Sequence, residues 1–302
     1  NFSYNASNNN IVKNYFLDDN LNGAQDSTLD VFDRFFDIGD PNRQSQQFAI
    51  NYELPLSKIP TFSFLKTSYS YTGDFQWQKG SDLFGNLTLN GETYDLGNTI
   101  SNANTHNINS SFDMLKFYRY IGLVKDNNRS GDKQSFGVQR STPTNNKFSF
   151  KNMVIDLLTS IKRIQINYSE NNGSFLPGYL QTPDFIGSFR PSLGYVFGSQ
   201  RDIRYLAARN GWLTVFPEFN QQYTEVTNKN LTFSANLTPI RDLKIDLTAG
   251  RTYSENLTEN FNTIDLDGDG LSDDYNPLIQ NTLGNFNIST VLIKTAFSNS
   301  DE

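Results

Sequence analysis

The sequence contains no cysteine and a single histidine, His106, among its 302 residues. Without thiols the chain can form neither a disulfide framework nor a thiolate metal site, so an exported form would depend on strand pairing and packing for its stability. His106 stands in the polar run SNANTHNINSS, without a sequence signal for a catalytic partner. We therefore predict that His106 lies in a surface loop, and we exclude a Ser-His-Asp triad.

Common catalytic motifs are also absent. The sequence has no G-x-S-x-G, no H-E-x-x-H, no phosphate-binding loop and no dinucleotide fingerprint. The carboxylates of Asp18-Asp19 and of Asp273-Asp274 are direct sequence neighbours, which does not indicate the separated pair of a glycosidase. We therefore expect no enzymatic activity and no organic cofactor.

Charge and hydropathy narrow the class of protein further. The net charge is −7 and no Lys/Arg stripe is present, so we do not expect nucleic acid as a partner. No apolar run reaches the roughly eighteen residues that a membrane-spanning helix needs. Aromatic residues are abundant instead, with 25 Phe and 15 Tyr, and this composition favours β-strands.

Alternating hydrophobicity predicts two long hairpins. Apolar and polar residues alternate over residues 47–54 and again over 65–77, on either side of a tight connection at 55–60. The same alternation links residues 231–237 to 243–253 through a turn at 238–241, and a further strand is expected around Ile164, Ile166 and Tyr168. Each strand therefore has one apolar and one polar face.

The alternation alone is compatible with a soluble β-sandwich or with a membrane barrel. Strand lengths approach the roughly nine to eleven residues that cross a bilayer at a tilt, which favours the barrel. In that case the apolar set Leu65, Tyr69, Tyr71, Phe75 and Trp77 faces lipid, with Phe75 and Trp77 in an interfacial aromatic girdle. The polar stretches 80–111 and 255–282 are then expected to be long extracellular loops.

Short helices are expected in the connections. Ser27 precedes an amphipathic stretch at 28–38, and Ser111 precedes another at 112–124. Asp202 can cap a third helix, whose apolar face is formed by Ile203, Leu206 and Ala207 and which ends at Gly211.

Four segments carry a resemblance to a known family. They are GSFLPGY at 173–179, LGYVFGSQ at 193–200 with the following Asp202-Ile203-Arg204, GWLT at 211–214, and DLKIDLTAGRTYSEN at 242–256. Together with the hairpins they resemble the SprA/Sov family, the giant outer-membrane translocon barrels of the Bacteroidetes type IX secretion and gliding-motility system.

The resemblance implies an all-β fold, an antiparallel section of a large transmembrane β-barrel with short helices in long loops, located in the cell outer membrane. It also implies a protein-conducting translocon that exports folded cargo with type IX sorting domains, with a PorV-like shuttle barrel and a periplasmic plug protein as partners. Residues 1–302 would form one internal section of a larger barrel, because the first residues lack a secretory signal and the last residues are polar.

Two other functions remain open from the sequence. A TonB-dependent outer-membrane transporter would also have long amphipathic strands and Asn-rich loops. A secreted calcium-binding adhesin or glycan-binding β-sandwich would share the exposed aromatic residues and the acidic loop described next.

One motif indicates metal binding. The run DLDGDGLSDD begins at Asp265 and places carboxylates at Asp265, Asp267, Asp269 and Asp273, a turn glycine at Gly270, and the backbone carbonyl of Leu271 at the spacing of a calcium loop. Position twelve is Asn276, where a sensor loop has glutamate. We therefore predict a structural calcium site in an external loop, with no role in chemistry.

Overall fold

The computed structural model describes residues 1–11, 39–81, 85, 87–124, 159–184, 187–240 and 243–289. The helix expected at 28–38 lies outside these residues. Ten strands are described: β1 Phe2–Ile11, β2 Asp40–Leu54, β3 Leu65–Gln78, β4 Leu87–Leu89, β5 Glu92–Tyr94, β6 Asn98–Asp113, β7 Ile161–Tyr179, β8 Gln222–Ile240, β9 Leu243–Ile264 and β10 Asp274–Ser289.

Eight of these strands form one antiparallel sheet in the order β1-β2-β3-β6-β7-β8-β9-β10, and β4 pairs only with β5. The predicted all-β class is confirmed. Because β1 and β10 lie at opposite edges, the described strands form an open sheet.

Both predicted hairpins are present. Strand β2 pairs with β3, with Ile50 opposite Tyr71, and two short 3-10 helices, Pro55–Lys58 and Pro60–Phe62, connect the two strands. Strand β8 pairs with β9, with Phe233 opposite Ala249. Strand β8 continues to Ile240, so residues 238–240 belong to the strand rather than to the predicted turn.

The two long polar stretches predicted as loops are largely strands. Residues 98–111 belong to β6, which pairs with β3 on one side and β7 on the other. In the second stretch, 255–264 belongs to β9 and 274–282 to β10, leaving a connection of only 265–273. Asn, Ser and Thr side chains suggested loops, but they are accommodated because one face of this sheet is polar along its whole length.

The prediction that His106 lies in a surface loop is also wrong. It lies in the middle of β6, opposite Tyr71 on one neighbouring strand and Glu170 on the other. Its side chain is half-buried, and its Nδ1 is 2.9 Å from the hydroxyl oxygen of Tyr69.

Three short α-helices are described: α1 Met114–Tyr120, α2 Leu193–Val196 and α3 Arg204–Arg209. The predicted helix at 112–124 exists but begins later, because Phe112 and Asp113 extend β6 and Asp113, not Ser111, caps α1 through the amide of Lys116.

The third predicted helix is α3. The capping position is Ile203, which makes no side-chain capping bond; Asp202, one residue earlier, accepts a hydrogen bond from the Arg204 amide. Gly211 follows the helix with a positive φ of 68°. Ile203 and Ala207 are buried, whereas Leu206 is 43% exposed and does not belong to the packed face.

Candidate functional site

The two faces of the large sheet differ in chemistry. On β9 the even-numbered positions from Lys244 to Asn262 are all polar or glycine, and β6, β8 and β3 present similar residues on the same face. The opposite face carries the apolar residues, including Phe233 on β8 and Leu247 on β9. We call these the polar face and the apolar face.

The polar face is concave across part of its width. An open groove of about 730 Å³ on this face is lined by residues of six strands, from Asn5 of β1 to Thr224 of β8. In the sheet order four other strands separate β1 from β8. The groove therefore crosses six neighbouring strands, and the polar face is concave along it. A second groove, on the apolar face, crosses β7, β8 and β9.

The connection between β7 and β8 covers one half of the apolar face. This covering segment, residues 180–184 and 187–221, contains α2 and α3 and lies over the end of the sheet that holds Trp77, Ile100 and Leu176, which we call the upper end. Together they form the described hydrophobic core. Its members from the covering segment include Tyr195, Val196, Ile203, Ala207, Ala208, Leu213 and Phe219.

Amide side chains of the sheet satisfy the backbone of this irregular segment. Asn102 Nδ2 donates to the carbonyl oxygens of Tyr195 and Ser199 at 3.0 and 2.8 Å, and Asn104 Nδ2 donates to that of Gly198 at 2.7 Å. Both asparagines are buried. Carbonyl groups outside helices and strands need partners when buried, so these polar residues on the apolar face stabilise the covering segment.

A buried ion pair adds to this attachment. Arg204 of α3 donates from Nη1 to Glu259 Oε1 of β9 at 2.6 Å, and the Tyr275 hydroxyl donates to the same oxygen at 2.6 Å. The guanidinium group also lies 4.5 Å from the centre of the Tyr223 ring. Burial acts to raise the pKa of Asp202, the second carboxylate beside Arg204, but hydrogen bonds from the Arg204 side chain and amide and its charge outweigh it and lower that pKa.

The predicted aromatic girdle is wrong at both of its residues. Phe75 and Trp77 are each 2% exposed, because the covering segment packs over them. Trp77 Nε1 donates to the carbonyl oxygen of Gln181, and the Phe75 ring contacts Tyr195 edge-on. Tyr71, from the same predicted lipid-facing set, donates to the Phe197 carbonyl oxygen. These residues attach the covering segment to the sheet.

The lower half of the apolar face is left uncovered by this segment. Its exposed members include Tyr52, Ile108, Leu231, Ile245 and Ile288, each at least 36% exposed. Strand pairing places Tyr52, Tyr69, Ile108, Tyr168, Leu231, Arg251 and Ile288 in one row across the sheet. Rows below it hold mainly Leu, Ile, Phe and Ala, and we call this region the apolar belt.

The predicted calcium ligands are partly brought together. Carboxylate oxygens of Asp265, Asp267 and Asp269 lie within 4.8 Å of one another in the connection between β9 and β10. Asp273 instead accepts a hydrogen bond from the Leu266 amide at 2.7 Å. Asn276 lies in β10, where it donates to Asn262.

The pKa values of Asp265 and Asp267 in this acidic loop are shifted in opposite directions. Amides of Gly270 and Gly268 donate to Asp265 and lower the pKa of its carboxyl group. The Asp269 amide lowers the pKa of Asp267, but repulsion from Asp269, Asp273 and Asp265, with partial desolvation, outweighs it and raises that pKa overall. A cation at this point would relieve the repulsion.

The acidic loop is joined to the covering segment. Ser272 Oγ donates to the Ala208 carbonyl oxygen at 2.9 Å, and Leu271 lies close enough to Gly211 that an added Cβ there would be 3.2 Å away. Order in the loop is therefore coupled to the end of α3.

The sequence analysis missed several of these residues. Asn102, Asn104 and Glu259 stand at positions on the same face of their strands as the apolar residues Ile100 and Phe261. A polar residue where the alternation leads one to expect an apolar one was the available signal of a buried polar contact. Nothing in the sequence links Glu259 to Arg204, which lies 55 positions away.

Within the described residues, no helix is both long and apolar enough to cross a membrane. Comparison with known proteins matches no family model, and no curated protein is significantly similar to the chain.

Proposed function

We propose that this chain forms a section of the wall of a large outer-membrane β-barrel that conducts proteins. The observation that carries the proposal is the division of the sheet into a polar face, with an open groove across six strands, and an apolar face with an uncovered belt. A soluble sandwich would place a second layer over the whole apolar face. A barrel wall instead has its polar side around water and its apolar side in lipid.

The apolar belt is lower than the full apolar band of such a barrel. On β8 it runs from Leu231 through Phe233 and Ala235 to Leu237, and on β9 from Ala249 to Leu243. At about 3.3 Å per residue and a tilt of about 40°, seven residues rise about 18 Å, compared with an apolar band of about 25 Å in outer-membrane barrels. The covering segment would then lie beyond the membrane, over the part of the wall that projects from it.

Cargo and partners follow from the resemblance. The similar segments at 173–179, 193–200 and 211–214 form the end of β7 and much of the covering segment. We propose a translocon that exports folded proteins with type IX sorting domains, in contact with a PorV-like shuttle barrel and a periplasmic plug protein. The acidic loop would bind calcium as a structural ion.

The test places a charge on either face of one strand. Phe233→Arg puts a cation in the apolar belt and should cost about 2 to 4 kcal/mol in assembled stability. Thr232→Arg, one residue away, projects from the polar face and serves as the matched control. The measurements are the amount of heat-resistant protein in the outer membrane and the surface export of sorting-domain cargo.

We expect Phe233→Arg to lower both quantities and Thr232→Arg to leave assembly unchanged. Equal tolerance of arginine at the two positions would rule out a lipid-facing belt. Normal cargo export in cells depleted of the protein would rule out the translocon.

A further inference from the structure

Charged side chains are missing from the centre of the polar face. Over the central rows of β6 to β9 this face presents only Ser, Thr, Asn, Gln, Gly and a few apolar residues, although 19% of the chain is charged. The positions concerned are the odd residues of 99–111 and 165–175 and the even residues of 224–236 and 248–262. The charges on this face, such as Asp74, Arg163 and Asp246, lie on neighbouring strands or nearer the lower end.

In these central rows, the charges of the same strands lie on the apolar face. Glu170, Lys229, Arg251, Glu255 and Glu259 all project there, and Lys229 Nζ lies 3.5 Å from Glu170 Oε1. A half-buried sheet normally carries its charges on the polar, water-facing side, because ions are costly to bury. Burial therefore does not explain the neutral composition of the polar face.

We infer that strands β6 to β9 form a charge-neutral lining along which polypeptides of either net charge pass. The inference rests on the proposed translocon and specifies its substrates. Charged walls focus an electric field, concentrating one sign of solute and repelling the other. Hydroxyl and amide groups exchange hydrogen bonds between water and a passing chain at little net gain, so such a lining retains neither kind of cargo.

One row of the polar face allows a direct test. Asn171 of β7, Asn228 of β8 and Ser254 of β9 are paired across the sheet. Changing all three to Lys, or all three to Glu, makes a charged band, and changing them to Gln makes a neutral control. The cargo is one folded reporter with a type IX sorting domain, in an acidic and a basic version, and the readout is the ratio of their surface export rates.

The unchanged protein and the Gln variant should export the two reporters at rates within about twofold of each other. The Lys and Glu variants should shift the ratio about tenfold in opposite directions, within the range that electrostatic steering gives. Amounts of heat-resistant protein in the outer membrane show that each variant assembles.

Two results would overturn the neutral lining while leaving the translocon intact. One is a tenfold charge preference in the unchanged protein, which needs no variant to detect. The other is an unchanged ratio in assembled Lys and Glu variants. Export of both reporters without the protein would overturn the proposed function, and the lining with it.

Discussion

Gly73 of β3 and Gly198 of the covering segment touch backbone to backbone. A Cβ on Gly198 would lie 2.8 Å from the Gly73 Cα atom, and a Cβ on Gly73 would lie 2.2 Å from the Phe197 carbonyl oxygen. Gly198 also has a φ of +90°. This contact lets the Tyr71 hydroxyl reach the same carbonyl oxygen, at 2.5 Å. Side chains at either position would lift the covering segment from the sheet.

Gly198→Ala should therefore loosen the covering segment. The positive φ alone costs a residue with a side chain about 1 to 3 kcal/mol, and the steric overlap adds to it. Hydrogen exchange at the amides of residues 193–214 should accelerate accordingly.

Gly194→Ala is the matched control. Gly194 lies in α2, and an added Cβ would be an ordinary 3.4 Å from the Ser199 Cβ atom. Alanine in a helix is favoured over glycine by up to about 1 kcal/mol, so exchange should be unchanged or slower. Equal acceleration by the two substitutions would contradict the role given to the glycine contact.

Glu259→Gln should weaken the attachment of α3. The Glu259 side chain is 5% exposed and receives hydrogen bonds from Arg204 and Tyr275. Asp202 remains paired with Arg204 in this variant, so the loss should be smaller than the roughly 3 to 5 kcal/mol of a buried ion pair whose second charge is left alone. The measurement is hydrogen exchange at 204–213.

Glu255→Gln on the same strand and face is the comparison. Glu255 accepts from the Tyr253 hydroxyl but has no described ion pair with the covering segment, so exchange at 204–213 should not change. If the amides of 204–213 exchange at the same rate in both variants and in the unchanged protein, the buried ion pair does not attach α3 to the sheet.

The alternation of apolar and polar residues predicted much of the sheet, because it is a local property of each strand. The pairing of 47–54 with 65–77 followed from it, as did the opposite faces of Phe233 and Thr232. What covers an apolar face is decided by residues far away in the sequence. Phe75 and Trp77 were therefore correctly assigned to one face and wrongly assigned to lipid.

Composition led to wrong predictions where polar residues have hydrogen-bond partners that are distant in the sequence. Residues 98–111 look like a loop because asparagine and serine favour turns. In the fold, Asn102 and Asn104 instead bind carbonyl groups of residues 195–199, more than ninety positions away. The acidic loop was predictable to a greater extent, because Asp265, Asp267 and Asp269 converge within five residues of chain.

The last prediction concerns Asp267 of the acidic loop. Repulsion among the carboxylates raises its pKa, so Asp267→Asn should relieve strain between like charges when calcium is removed by chelator. The same change removes a ligand, and millimolar calcium should no longer protect residues 262–275 from protease. In the unchanged protein calcium should protect this loop and, through Ser272 and Leu271, slow hydrogen exchange at 208–213.

Asp246→Asn removes the same charge from the polar face of β9 and is the control for net charge. Its calcium response should match that of the unchanged protein. Strand pairing should survive in both variants, since the β8–β9 hairpin is stabilised by cross-strand packing rather than by an ion. Identical digestion of the unchanged protein in calcium and in chelator would show that the loop is a solvated acidic turn, and the calcium site would be withdrawn.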